Sequence, residues 1–385
     1  SMTVLKDAAS NALYGARGAN GVIMVTTKKA KHTDAVVNVD AKWGLNTKAL
    51  RNYDYITDPG QYYEVYYAGL KNYLMNKQGM SDYEAHIAAN QYMVASSDNE
   101  DATGYSLGYQ VFYVPEGETF IGSNGRLNPS ASLGRVVDYN GQSYWLTPDN
   151  WMDEAYRNTL RQEYNVSVSG TSGKASVLAS FGYLNNKGIT YGSDMYRYTA
   201  RLRADYQAKD YLKIGGNFAY THTNLNNSNT DEGSNASTGN IFAIANQIAP
   251  IYPLYVRDKD GNIMYENGMK VYDSNQTNFV RPSFVGNAVR DNELNRRQNY
   301  SDFISGKWGV VITPMEGLSL TANVGLTNEN SRYNALYSRF GSQSATDGLA
   351  YVSHDRMFAV NNQYLAEYKT DFGGSLHSLN VLAGY

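Results

Sequence analysis

Alternation with a period of two runs through most of this chain and constrains its fold more than any other feature. Val37, Val39, Ala41, Trp43 and Leu45 interleave with Asn38, Asp40, Lys42 and Gly44. The pattern returns at Tyr164, Val166 and Val168 against Asn165, Ser167 and Ser169, and again from Ala175 to Tyr183. It is clearest where Tyr196, Tyr198, Ala200, Leu202, Ala204, Tyr206 and Ala208 oppose Arg197, Thr199, Arg201, Arg203, Asp205 and Gln207. Successive side chains of a strand point to opposite faces, so these runs predict strands with one apolar and one polar face. Further runs at Leu212–Tyr220, Ile304–Ile312 and Leu318–Leu326, a long one ending near Asp371, and a last one through Leu379 to Tyr385 bring the total to about nine.

The connections alternate in length. Gly170–Gly173, Lys209-Asp210, Pro314–Gly317 and Gly373-Gly374 are short turns, whereas excursions of about 46–161, 226–297 and 328–350 are long. Several runs exceed the usual globular strand and approach the roughly 9–11 residues of a tilted membrane-spanning strand. A soluble sandwich also alternates. Against it, the apolar faces end in tyrosines (Tyr164, Tyr183, Tyr196, Tyr220, Tyr385), as in the aromatic girdles of a spanning barrel. A mean hydropathy of -0.51, with no apolar run long enough for a transmembrane helix, excludes a helical membrane protein. It leaves a barrel open, because alternating strands average out as hydrophilic. Arg201 and Arg203 facing lipid would cost about 2–4 kcal/mol each near the midplane, so Arg197, Arg201, Arg203 and Asp205 are expected to line the lumen. An open edge in lipid is untenable and bacterial barrels have even strand counts, so about nine strands predict part of a larger barrel.

The first excursion carries helix signals. Asp58-Pro59 reads as N-cap and N1 of a Tyr-rich helix to about Gln78, and Ser81-Asp-Tyr-Glu84 as a capping box before a run ending near Ser96. A hairpin is expected around Asp260-Gly261. Chemical signals are weak. Gly104-Tyr-Ser-Leu-Gly108 matches a nucleophile elbow literally, but the polar stretch before it reads as a surface loop rather than a buried strand. Five histidines lack metal spacing, and Asp258-Lys-Asp-Gly261 has its glycine too early for a calcium loop, so a turn is preferred. No catalytic, metal or cofactor site is expected. A net charge of -3 gives no sign of a nucleic-acid partner, and the absence of cysteine is compatible with an extracytoplasmic location.

The beginning of the chain is the most specific stretch. From Val4 to Lys28 a helix-prone run leads to glycines at 15, 18 and 21, and then to a buried strand from Val22 to Thr27. The glycine spacing fits neither the Walker nor the dinucleotide pattern. The segment closely resembles the end of the plug domain of SusC/RagA-type TonB-dependent outer-membrane transporters, whose pattern V-L-K-D-A-x-x-x-x-x-Y-G-x-R-G-A-N-G-V-I-x-x-T-T-K it matches almost throughout. Asn150–Arg157 and Tyr164–Gly170 look like the same family.

The resemblance implies an all-β, transmembrane antiparallel barrel of roughly 22 strands, with an α+β plug and long external loops containing short helices. Residues 1–31 would be the end of the plug and 32–385 the first part of the barrel. With no signal peptide and a start inside the plug pattern, the chain is expected to be an internal fragment of a multi-pass protein of the bacterial outer membrane. The implied function is energised import of an oligosaccharide, or of a peptide, rather than enzymatic work. Implied partners are a SusD-like surface lipoprotein lid, the TonB-ExbB-ExbD complex acting through a segment not in this chain, and outer-membrane lipid. Arg17 and Asn20 are candidates for plug–barrel contact. Tyr144, Trp145 and Trp151 are candidates for stacking on substrate or meeting the lid, with packing inside the loop an equal alternative. Rival readings are a non-transporting adhesin barrel and a surface hydrolase using Ser106.

Overall fold

The computed structural model describes residues 2–6, 19–25, 30, 33–49, 54–94, 104–108, 110–139, 141–227, 241–273, 287–340, 348–372 and 376–385. In chain order the elements begin with β1 (Met2–Leu5), β2 (Val22–Val25) and β3 (Val36–Asn46). The first long excursion holds α1 (Pro59–Gln78), α2 (Asp82–Tyr92), β4 (Phe112–Tyr113), β5 (Ser132–Leu133), β6 (Arg135–Tyr139), β7 (Gln142–Leu146) and α3 (Trp151–Ala155). Strands β8 (Thr159–Ser172), β9 (Ala175–Lys187), β10 (Asp194–Lys209) and β11 (Leu212–Asn226) follow. The second excursion holds α4 (Ile241–Gln247), β12 (Tyr265–Glu266), β13 (Met269–Lys270) and α5 (Ala288–Leu294). The chain closes with β14 (Arg296–Met315), β15 (Leu318–Tyr337), β16 (Leu349–Phe372) and β17 (His377–Gly384).

Nine strands form one antiparallel sheet in strict sequence order, β3-β8-β9-β10-β11-β14-β15-β16-β17. Register aligns the apolar faces across it. One continuous row reads Val37, Val168, Ala179, Leu202, Phe218, Gly306, Leu326 and Val360. Its large members stay exposed: Leu202 is 51% and Phe218 42% accessible. A sheet presenting such a face is matched to an apolar solvent, and the fold is part of the wall of a transmembrane β-barrel.

Two strand limits differ from the sequence reading. β8 begins at Thr159, several residues before Tyr164, and β15 runs on through Asn328–Tyr337, so the third connection shrinks to 338–348. At 20, 20 and 24 residues, β14, β15 and β16 are about twice the length that a bilayer requires. Their upper halves lose apolar alternation yet stay paired, because a ladder satisfies backbone groups whatever solvent lies outside it.

The helices follow their caps. Asp58 accepts from Gln61 N at 2.6 Å ahead of Pro59, and Gly79, at φ 72°, closes α1 in the left-handed region. Ser81 and Glu84 form the capping box of α2, whose C-cap is Met93; the expected end near Ser96 falls outside the described residues. At the beginning of the chain β1 and β2 pair as an antiparallel ribbon. Instead of being buried, Ile23 and Val25 are 63% and 69% accessible, since a two-stranded ribbon covers neither of its own faces.

Candidate functional site

The polar face of the sheet gathers the charged residues. Arg203 Nε donates to Asp205 Oδ2 at 3.0 Å, both half-buried, while Arg197 and Arg201 stand exposed on the same face. Asp205 shares a row with Ser176, Gly215, Gly309, Asn323 and Gln363, and Arg201 one with Ser180, Ala219, Ser305 and Thr327. A Cβ on Gly215 would lie 2.7 Å from Asp205 Oδ1, and one on Gly309 2.5 Å from Asn323 Oδ1. The polar side chains therefore lie flat over bare backbone, and the wall is smooth and hydrophilic there. Lys42–Asp40 (3.0 Å) and Arg161–Glu163 (2.6 Å) are further ion pairs on this face.

The two long excursions, in contrast, fold into one packed body at the end of the sheet. In α1 the spacing of Tyr63, Tyr67, Leu70 and Leu74 lays one stripe against Ala85 and Ala89 of α2, then Val111, Phe120 and Ile121. Ile251 and Tyr252, from the second excursion, complete that core. A second core joins Trp151, Met152 and Ala155 to Ile241, Leu254, Tyr255, Tyr272 and Val289. The seam is pinned by charge: Arg257 grips Asp149 with Nη2–Oδ1 at 2.5 Å and Nη1–Oδ2 at 3.0 Å. Asp149 Oδ2 also accepts from the backbone of Leu254 and Tyr255, and Tyr252 Oη donates to Leu107 O at 3.0 Å. Burial raises the phenols of Tyr63, Tyr255 and Tyr272; the neighbouring Glu154 adds to the effect at Tyr255 and Glu293 at Tyr272. No local sequence signal marks Asp149 and Arg257, which lie 108 positions apart.

The three loop aromatics sit within this body. Trp151 is 3% accessible and its indole N–H donates to Tyr252 O at 2.9 Å; Tyr144 is 8% accessible. Neither offers a ring face for stacking, because their rings are spent on the core. Trp145 is half-buried over Gly134, where a Cβ would come within 2.2 Å of the ring, and lies 3.7 Å from that of Gly261. It thus wedges the first excursion against the turn of the second. That turn forms where the hairpin is expected: Asp258 Oδ1 accepts from Asp260 N and Asn262 N, and Asn262's backbone N–H holds the carboxyl below its ordinary range.

Ser106 lies in a turn and accepts from Gly108 N, and among the described residues 104–108 there is neither strand nor helix. His86 is buried against the Tyr67 hydroxyl at 2.6 Å. Among the described residues no group of His, Cys, Asp and Glu could hold a metal. Asn20 is exposed at the turn before β2; Arg17 lies outside the described residues. An open cavity of about 570 Å³ lies between the second excursion and the third connection, lined by Tyr265, Lys270, Tyr272, Arg290, Arg339 and Phe340 among others.

On the apolar face, rings make a belt across five strands. Trp43 Nε1 donates to Tyr164 Oη at 3.0 Å, Tyr164 stacks on Tyr183 at 6.3 Å, Tyr183 meets Tyr198 at 5.0 Å, and Tyr198 meets His222 at 6.3 Å. Tyr196, expected in the belt from the sequence, joins it from the neighbouring row, 6.1 Å from Tyr198 and 6.2 Å from His222; the belt adds Tyr198, and Tyr220 lies one row to the other side. Amphipathic rings collect where hydrocarbon meets water.

This belted, two-faced meander with excursions folded at one end defines the wall of an outer-membrane-type barrel. No family model matches the chain. It is similar to TonB-dependent receptor P26 of Formosa agariphila, at 22% identity over 392 residues that cover 100% of this chain and 31% of that one. It is also similar to TonB-dependent receptor SusC of Bacteroides thetaiotaomicron, at 24% over 255 residues, 66% of this chain and 18% of that one. A 45-residue match reaches 53% identity with TonB-dependent receptor P3 of Formosa agariphila, covering 12% of this chain and 4% of that one. Among solved structures the RagAB peptide transporter superimposes with a TM-score of 0.65 at 20% identity, over 100% of this chain and 38% of that one. The chain is thus similar along its whole length to TonB-dependent receptors and shares the fold of the RagAB transporter barrel, and it spans less than two fifths of the length of these relatives.

Proposed function

We propose that this chain forms the end of the plug and the first part of the barrel of an importer that takes an oligosaccharide across the bacterial outer membrane, energised by the TonB-ExbB-ExbD complex. The observation that carries this reading is a polar, glycine-smoothed face backed by a lipid-matched apolar face, in a chain similar to TonB-dependent receptors along its whole length. Residues 1–31 supply the end of the plug, with Arg17 and Asn20 at its contact with the wall. Residues 32–385 supply the wall, with Arg197, Arg201, Arg203 and Asp205 facing the lumen, where they either line the path or grip the plug. The folded excursions stand outside the cell as a platform on which a SusD-like lipoprotein closes. The cavity lined by Tyr265, Lys270, Arg290, Arg339 and Phe340 pairs aromatic faces with hydrogen-bond donors, which suits capture of a hydroxyl-rich chain.

A peptide is the second reading, favoured by the likeness of fold to a protein described as a peptide transporter. Uptake of labelled oligosaccharide and labelled peptide, compared in cells with and without TonB, tests both. Loss of oligosaccharide uptake without TonB is expected. Uptake that persists without TonB overturns the energised mechanism, and TonB-dependent uptake of peptide alone transfers the substrate to the second reading. Arg201→Gln together with Arg203→Gln separates the two roles of the polar face: weakened substrate affinity assigns them to the path, unchanged uptake to the plug.

A further inference from the structure

A cluster of cations stands on the apolar face at the level of the aromatic belt. Register sets His222, Asp302, Asn330 and Arg356 side by side in one row. The next row, one step further from the apolar band, reads Asn224, Tyr300, Arg332 and His354. Arg332 and His354 are direct cross-strand partners, and Arg356 lies two residues from His354 on the same face, so their Cβ atoms fall within about 5–8 Å of one another. All three side chains are exposed.

The row beneath is Ile304–Asn328–Phe358, in which Asn328 is the one polar member, and the next, Gly306–Leu326–Val360, is wholly apolar. The cations therefore stand where hydrocarbon gives way to headgroups, on the side of the long connections. Within these two rows the acid is Asp302, and it is already engaged: Tyr220 Oη donates to it at 2.6 Å and His222 Nδ1 lies 2.9 Å away. Arg332 Nε donates to Asn334 Oδ1 at 2.9 Å, and among the described residues no carboxylate pairs with Arg332 or Arg356. Two guanidinium groups and an imidazole, beside an apolar surface and without a protein anion, match a phosphate anchored to acyl chains. Guanidinium binds phosphate through paired N–H donors, and basic pockets at the membrane boundary take lipid headgroups.

We propose that Arg332, His354 and Arg356 bind the phosphate of an outer-leaflet lipid whose chains lie on the apolar rows below. The proposal rests on the membrane-barrel reading, and its test keeps the two apart. The full-length protein, purified in non-ionic detergent, is mixed with a phosphorylated lipid A or with its dephosphorylated form, and retained lipid is counted by native mass spectrometry. Arg332→Gln/Arg356→Gln is compared with the parent, and heat-modifiable electrophoretic mobility reports barrel assembly.

Retention of the phosphorylated lipid is expected to fall about tenfold or more in the double variant, the loss of one or two charge-assisted contacts. Equal retention by parent and variant overturns the site. So does equal retention of both lipids by the parent, because the apolar rows alone would then hold them. Displacement of the lipid by inorganic phosphate at equal concentration assigns the site to a soluble anion and overturns the lipid source. Should the double variant fail to assemble, Arg356→Gln alone, at an exposed position, carries the same comparison. A parent protein without heat-modifiable mobility tells against the membrane reading itself.

Discussion

The sheet and the body formed by the two long excursions place the same residue types under opposite rules. In the excursions Tyr63, Leu74 and Ile251 are fully buried, and apolar side chains meet one another as in a water-soluble domain. In the sheet Leu202, Phe181 and Tyr206 are each more than half accessible, and the crowded polar groups lie on the face behind them. One region folds against water and builds its own interior; the other takes its interior from the bilayer. The hydrophobic effect acts in both, with the apolar phase supplied by the chain in one and by lipid in the other.

Perturbing each region in turn should separate them. The largest effect is expected at the seam of the excursions. Arg257→Ala strands Asp149 at a site where both partners are largely buried, costing about 3–5 kcal/mol. Limited proteolysis should then cut within 47–158 or 227–295 while the barrel keeps its heat-modifiable mobility. Simultaneous loss of both would mean that the regions fold as one.

Next is the wall. Leu202→Arg places a charge on the apolar face at a cost of about 2–4 kcal/mol and should impair assembly, whereas Arg201→Leu, one residue away on the polar face, should leave it intact. Assembly yields in liposomes check this, and equal yields would refute the assignment of faces.

Alkali comes third. Tyr63, Tyr255 and Tyr272 hold their protons more tightly folded than unfolded. Their stabilisation is complete below the ordinary phenol value of about 10 and declines as pH rises above it, where the unfolded chain ionises first. The excursions should thus become protease-sensitive above about pH 10 while barrel mobility persists. The smallest effect is expected for Ser81→Ala, which removes half of a capping box and about 1 kcal/mol, read as earlier thermal exposure of α2.

The alternation from Val37 onward determined the strands, their two faces and the order of short and long connections, because the pleat has a fixed period and lipid enforces it at every second residue. Asp58-Pro59 and Ser81–Glu84 determined where helices begin, since a cap is satisfied within three or four residues. Tertiary structure alone decided the rest. Whether Trp151 and Tyr144 meet a ligand or a core depended on residues about a hundred positions away, Tyr252 and Asp258 among them. The belt took Tyr198 and His222 because register, which the pleat period leaves free by steps of two, fixed which rings share a row. The ladder carried β15 past Asn328, since pairing needs only backbone donors and acceptors while periodicity reports the solvent. Sequence thus specified what each strand shows to lipid and to water, and long-range pairing specified which of those side chains meet.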